Sequence, residues 1–109
     1  MIYALKVFNL VPGRQSDYRD YSVKASWILD RLGGRVVSAG TGPLRKMHGD
    51  RTRRQMIVVE FPGIEAFRRF IDEAGNLNVH ALREDSTSGY VWPLYEPCDL
   101  KRRVREGRV

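Results

Sequence analysis

The stretch QMIVVEF, Gln55–Phe61, is apolar on both of its faces. As a strand it sets Ile57, Val59 and Phe61 on one side and Met56 and Val58 on the other. An open sheet with one wet side has no place for such a strand, because each of its faces needs cover. The fold is therefore constrained by how much cover the rest of the chain supplies.

That supply is two helices. Ile2–Leu10 reads as a first strand, with Tyr3, Leu5 and Val7 on one face and Ile2, Ala4 and Phe8 on the other. Pro12-Gly13 ends it. Ser16 is the expected N-cap of a first helix, with Asp17 in the first turn, where a negative charge suits the helix dipole. Tyr18, Tyr21, Ala25, Ile28, Leu29 and Leu32 then recur at helical spacing, and Gly33-Gly34 stops the helix. Arg35–Thr41 is a second strand, bent away by Gly42-Pro43, and a loop through Gly49-Asp50 returns the chain to the third strand. Pro62-Gly63 opens a second helix whose buried stripe is Ile64, Phe67, Phe70, Ile71 and Ala74; Arg68 and Arg69 point away from it. Asn76–Asp85 reads as a short helical turn, Gly89–Tyr95 as the fourth strand.

The order β-α-β-β-α-β is the ferredoxin-like plan. It predicts an α+β fold with a four-stranded antiparallel sheet and two helices on one face. Strands one and three lie in the centre, strand four flanks the first, and strand two flanks the third. Two helices shield one face only, so the other apolar face predicts a homodimer packed sheet to sheet. Lys6 and Glu60 interrupt the apolar pattern. Their parity is read as placing both on the less helix-like faces of neighbouring central strands, where they either pair inside the interface or reach its rim separately.

Composition narrows the class. With 109 residues, 42% of them hydrophobic, the chain makes one domain with a core of its own. The net charge of +6 is carried by two places, the loop 45–54 (net +4) and the segment 98–109 (net +3), and the rest of the chain sums to −1. The expected organisation is a ferredoxin-like domain over 1–97 followed by a basic, mobile tail over 98–109. The single Cys98 cannot form an internal bridge, no run is long enough to span a membrane, and the N-terminal residues lack signal-peptide character. A cytoplasmic location is expected.

Three stretches, RRQMIVVEFPGIEAFRRFID, ILDRLGGRVVSAG and HALREDSTSGYV, resemble the DUF1330 family of the dimeric α/β-barrel superfamily. The resemblance runs from about Ile2 to Leu94 and rests on pattern rather than a catalytic signature. It implies a ferredoxin-like protomer and a dimer of facing sheets, and little about chemistry. The wider superfamily includes cofactor-independent monooxygenases, haem-degrading enzymes, lactone isomerases and proteins with no established reaction. The basic loop and the arginine-rich tail depart from the compact family pattern.

Among possible sites, an RNA-binding surface needs aromatic stacking platforms on the central strands, and QMIVVEF offers aliphatic residues instead, so nucleic acid is not an expected partner. His48 and His80, 32 positions apart, do not have metal-ligand spacing, and neither metal nor cofactor is expected. Cys98 has no histidine near it in sequence. The remaining option is a pocket between sheet and helices for a small organic ligand. Tyr18, Tyr21, Arg83, Tyr90 and Trp92 are its candidate ligand contacts. Arg83 can clamp a carboxylate or enolate, and His80 can move a proton; these two are the candidate catalytic residues. The leading reading is a small-molecule-binding protein or cofactor-independent enzyme acting on an apolar, aromatic or carboxylate-bearing compound. The other is a non-catalytic dimeric interaction module that uses the basic loop 45–54 and the basic tail.

Overall fold

A computed structural model describes residues 1–49 and 51–108. Asp50, in the expected Gly49-Asp50 return, and Val109, at the end of the expected tail, lie outside the described residues. The elements are β1 (Ile2–Leu10), α1 (Gln15–Arg31), β2 (Arg35–Thr41), β3 (Gln55–Phe61), α2 (Ile64–Asn76), α3 (Val79–Ser86), β4 (Thr87–Val91), β5 (Leu94–Tyr95) and α4 (Leu100–Arg105). The sheet is antiparallel in the order β2-β3-β1-β4, and β5 also pairs with β1. This is the ferredoxin-like arrangement anticipated from the element order, with three short elements added.

Those additions have local causes. The expected fourth strand divides at Trp92-Pro93 because a proline has no N–H to give the ladder. The Pro93 carbonyl still accepts from the Leu5 N–H at 3.1 Å, and pairing resumes at Leu94, opposite Ala4. The segment before it, read from the sequence as a short helical turn, is the helix α3, entered through Asn78 in the left-handed conformation. In the tail, Asp99 caps α4 by accepting from the Arg102 N–H at 3.0 Å; α4 buries none of its residues. At α1 the sequence reading shifts by a residue. The helix starts at Gln15, so Ser16 lies inside its first turn and caps nothing; an ion pair between Arg14 Nε and Asp17 at 2.8 Å ties that turn instead.

The core lies between the sheet and α1, α2 and α3. Ala4, Val59 and Phe61 from the sheet meet Tyr21, Ile28 and Leu29 of α1, Phe70 and Ala74 of α2, and Val79 of α3. Ile64, assigned to the buried stripe of α2, is the first residue of the helix and is 43% exposed. The α1–β2 junction needs two glycines. Gly33 takes φ +78, and Gly34 passes so close that a Cβ there would stand 2.3 Å from a Leu29 methyl and 3.1 Å from the Glu60 carbonyl oxygen. Gly34→Ala is therefore expected to cost about 1–3 kcal/mol, the usual toll of overpacking, read as a lower urea midpoint at unchanged slope.

Strand register settles which side chains share a face. Ile57 stands opposite Lys6, Val59 opposite Ala4 and Phe61 opposite Ile2, all beneath the helices. Tyr3, Leu5 and Val7 stand opposite Glu60, Val58 and Met56 on the other face, which no helix of the described chain covers. Val91, opposite Val7, extends this apolar surface. Lys6 and Glu60 are thus on opposite faces and cannot pair, contrary to the sequence reading. Glu60 bonds Arg35 on the open face at 3.3 Å, and Lys6 is buried under the helices.

Candidate functional site

Beneath α1 the helix layer leaves a gap. Where α1 faces β2 and β3, its residues are small: Ser22, Ala25 and Ser26. The facing β2 positions are Val36 and Ala39, which are exposed along that edge. Short side chains on both walls cannot meet, and a cavity of about 260 Å³ remains. Ile57, Val59 and Phe61 form its floor, Leu29 and Phe70 close its sides, and Lys6, Tyr18, Tyr21, Ser22 and Ser26 supply its polar atoms.

Lys6 is the anomaly of this site. It is 6% exposed and donates from Nζ to the Tyr21 hydroxyl at 3.1 Å. Its ammonium otherwise meets aromatic rings, lying 4.5 Å from the Trp92 centroid, 5.7 Å from Phe70 and 5.8 Å from Tyr21. Among the described residues no ion pair includes it. A cation–π contact contributes about 0.5–2 kcal/mol and a hydrogen bond to a neutral phenol about 1 kcal/mol. Removing an ammonium from water costs several kcal/mol. The protein's own groups leave that charge under-compensated.

A second cation stands behind it. Arg83 of α3 stacks over Tyr90 and Trp92, its Cζ 5.1 and 5.3 Å from their centroids. Among the described residues it pairs with Glu84, at 3.9 Å. Arg83 Nε, the Tyr90 hydroxyl and Trp92 Nε1 are buried, with no hydrogen-bond partner among the described residues. Phe8 stacks on Tyr90 at 4.9 Å, and Phe67 meets Trp92 edge-on at 5.7 Å, so both rings are held in place. Burial pushes the Tyr90 phenol far above its ordinary range, with Tyr21 adding to the push and Arg83 opposing it. Burial also raises Tyr18, a hydrogen bond with Ser22 draws it part of the way back, and Tyr21 adds a further push. Both phenols are therefore neutral hydrogen-bonding groups at physiological pH.

The sequence candidates separate into two groups. Tyr18 and Tyr21 line the cavity. Arg83 and Tyr90 line a different hollow at the β4 edge with Thr87 and Gly89, while Trp92, in contact with both cations, stands between the groups. His80 lines neither; its Nε2 bonds the Ile71 carbonyl at 3.0 Å and ties α3 to α2. Lys6, which the sequence reading assigned to the sheet's other face, is the residue it missed. The strand is apolar on both sides, so its alternation held no signal for which side the helices cover.

Residues 3–93 match the domain of unknown function DUF1330, which takes in nearly all of β1, β2 to β4, α1 to α3 and the cavity. The chain belongs to that family. This DUF1330 protein has the fold of a protein of unknown function from Rhodopseudomonas palustris, at 20% identity and a TM-score of 0.77, over 90% of this chain and 82% of that one. SnoaB, a cofactor-independent oxygenase from Streptomyces nogalater, superimposes at 15% identity and a TM-score of 0.57, over 90% and 93% of the two chains. A dimeric protein of unknown function with a ferredoxin-like fold from Bacteroides fragilis does so at 9% identity and 0.56, over 88% and 95%. No curated protein matches this DUF1330 chain. Among its described residues no helix is long and apolar enough to cross a membrane.

Proposed function

We propose that this DUF1330 protein is a homodimer whose subunits each bind a small, largely apolar molecule in the cavity under α1, as a binding protein or a cofactor-independent enzyme. The cavity carries the reading. Mostly apolar walls with a few polar groups are the usual composition of a small-molecule site. Its volume, about 260 Å³, lies just under the usual range for drug-sized ligands, which favours a single ring or a short chain. Support for the dimer comes from the uncovered apolar face and from the dimeric Bacteroides fragilis relative. SnoaB supports cofactor-independent chemistry only as a precedent on the same fold. In this reading residues 1–97 form the functional domain, in the cytoplasm, and the basic segment 98–109 is an appendage.

Ala25 is the place to test it, because it sits on the helix wall of the cavity. Ala25→Phe is expected to fill the space, abolish ligand-induced thermal stabilisation across a panel of single-ring compounds, and leave the circular dichroism spectrum unchanged. Unaltered ligand stabilisation in this variant would move the site elsewhere.

A further inference from the structure

The cavity has a chemical preference written into its lining. Lys6 belongs to that lining, buried, bonded through Nζ to a phenol and surrounded by rings. Glu60, the carboxylate on the neighbouring strand, is on the opposite face of the sheet and engaged with Arg35. Among the residues that line the cavity Lys6 carries the one formal charge; no carboxylate lines it, and its other polar atoms are the hydroxyls of Tyr18, Tyr21, Ser22 and Ser26. Behind that lining stand Arg83 Nε and Trp92 Nε1, buried and without an acceptor among the described residues, which add donors and no negative charge. The site is short of negative charge, and an oxyanion supplies it.

We propose that the ligand is a small organic oxyanion, a carboxylate or an enolate. Its charged end rests on Lys6 Nζ and the Tyr21 hydroxyl, and its apolar body fills the space between Ala25 and Ile57. This rests on the cavity being the binding site and names the class of compound that it takes. Lys6 is the anchor. Arg83 stands behind Trp92 and raises the local positive potential without lining the cavity. The preference is for one negative charge on a body of about one ring, because the cavity is small, Lys6 is the one charged residue that lines it, and the rest of its lining is mostly apolar.

The test is titration calorimetry of the full chain with benzoate and phenylacetate against their neutral amides, in wild type and in Lys6→Met. The wild type is expected to bind each acid at least about tenfold more tightly than its amide. Lys6→Met, of similar length without the charge, is expected to erase that preference while still binding the amide. The same variant, without ligand, is expected to melt at or above the wild-type temperature, because a buried charge with no counter-ion has been replaced by an apolar chain. A residue that merely braced the fold would give the opposite shift. If Lys6→Met does not fold, Lys6→Gln gives the same comparison with a hydrogen bond to Tyr21 retained. Equal affinity for acid and amide in the wild type, or an acid preference that survives loss of Lys6, would overturn the inference and leave the cavity as a neutral-ligand site. Binding of neither acids nor amides would remove the cavity reading as well.

Discussion

Val58→Asp is expected to turn the proposed dimer into monomers. Val58 is in the middle of the uncovered face, opposite Leu5 on one side and Ser38 on the other, within an apolar surface that includes Tyr3, Val7 and Met56. In a two-fold interface of facing sheets each position occurs twice. One substitution therefore introduces two carboxylates into a surface that offers Arg35 only at its edge. Each uncompensated buried charge costs several kcal/mol, so the dissociation constant should rise about a thousandfold or more. A lysine would be a weaker probe, since its long stem can carry the charge to the rim. The protomer itself should lose at most about 1 kcal/mol, because Val58 is absent from the helix-covered core. Sedimentation velocity at micromolar concentration reads the result directly. A wild type that sediments as a monomer, or a Val58→Asp chain that remains dimeric, would remove the facing-sheet assembly.

The same surface shows which parts of the structure the sequence makes legible. Element order, strand order and the two-sided greasiness of β3 follow from periodicity and turn residues, because both are local signals. Which face Lys6 occupies is not local. Strand β1 is apolar on both sides, so its alternation alone cannot say which side the helices cover. The answer comes from the β1–β3 register, with Lys6 opposite Ile57 and Glu60 opposite Tyr3, and that register is a tertiary fact. The parity reading, which put Lys6 and Glu60 on the same face, failed at Lys6 for that reason. Tyr18 and Tyr21 were recognisable as cavity residues because amphipathic spacing puts them on the inner face of α1. His80 also had the spacing of an inner residue, but its ring is used to tie α3 to α2. The cavity itself is invisible in a pattern of apolar and polar letters. It arises from a volume mismatch between Ser22, Ala25 and Ser26 on one wall and Val36 and Ala39 on the other.

That mismatch also determines how the core answers to truncation. Phe61→Ala is expected to be the most destabilising single change in the helix-covered core. Phe61 is 1% exposed and makes edge-on contacts with Phe67 at 5.4 Å and Phe70 at 5.5 Å, so it joins β3 to α2. Removing a buried phenylalanine side chain costs about 3–5 kcal/mol, and the higher values belong to sites that cannot collapse. Collapse is restricted here, because Phe61 also forms part of the cavity floor. The new space would merge with the old one, and the neighbouring Phe70 is held by the same α2 that must move to fill it. Against a total of about 5–15 kcal/mol for a domain, such a loss leaves little reserve. Urea unfolding at fixed protein concentration is the right measurement, since a dimer's midpoint depends on concentration. Phe61→Leu, which retains most of the volume and loses the ring contacts, should recover more than half of the loss. A Phe61→Ala loss below about 1.5 kcal/mol would mean that α2 can settle onto β3, and a wall that mobile could not hold a cavity of defined shape.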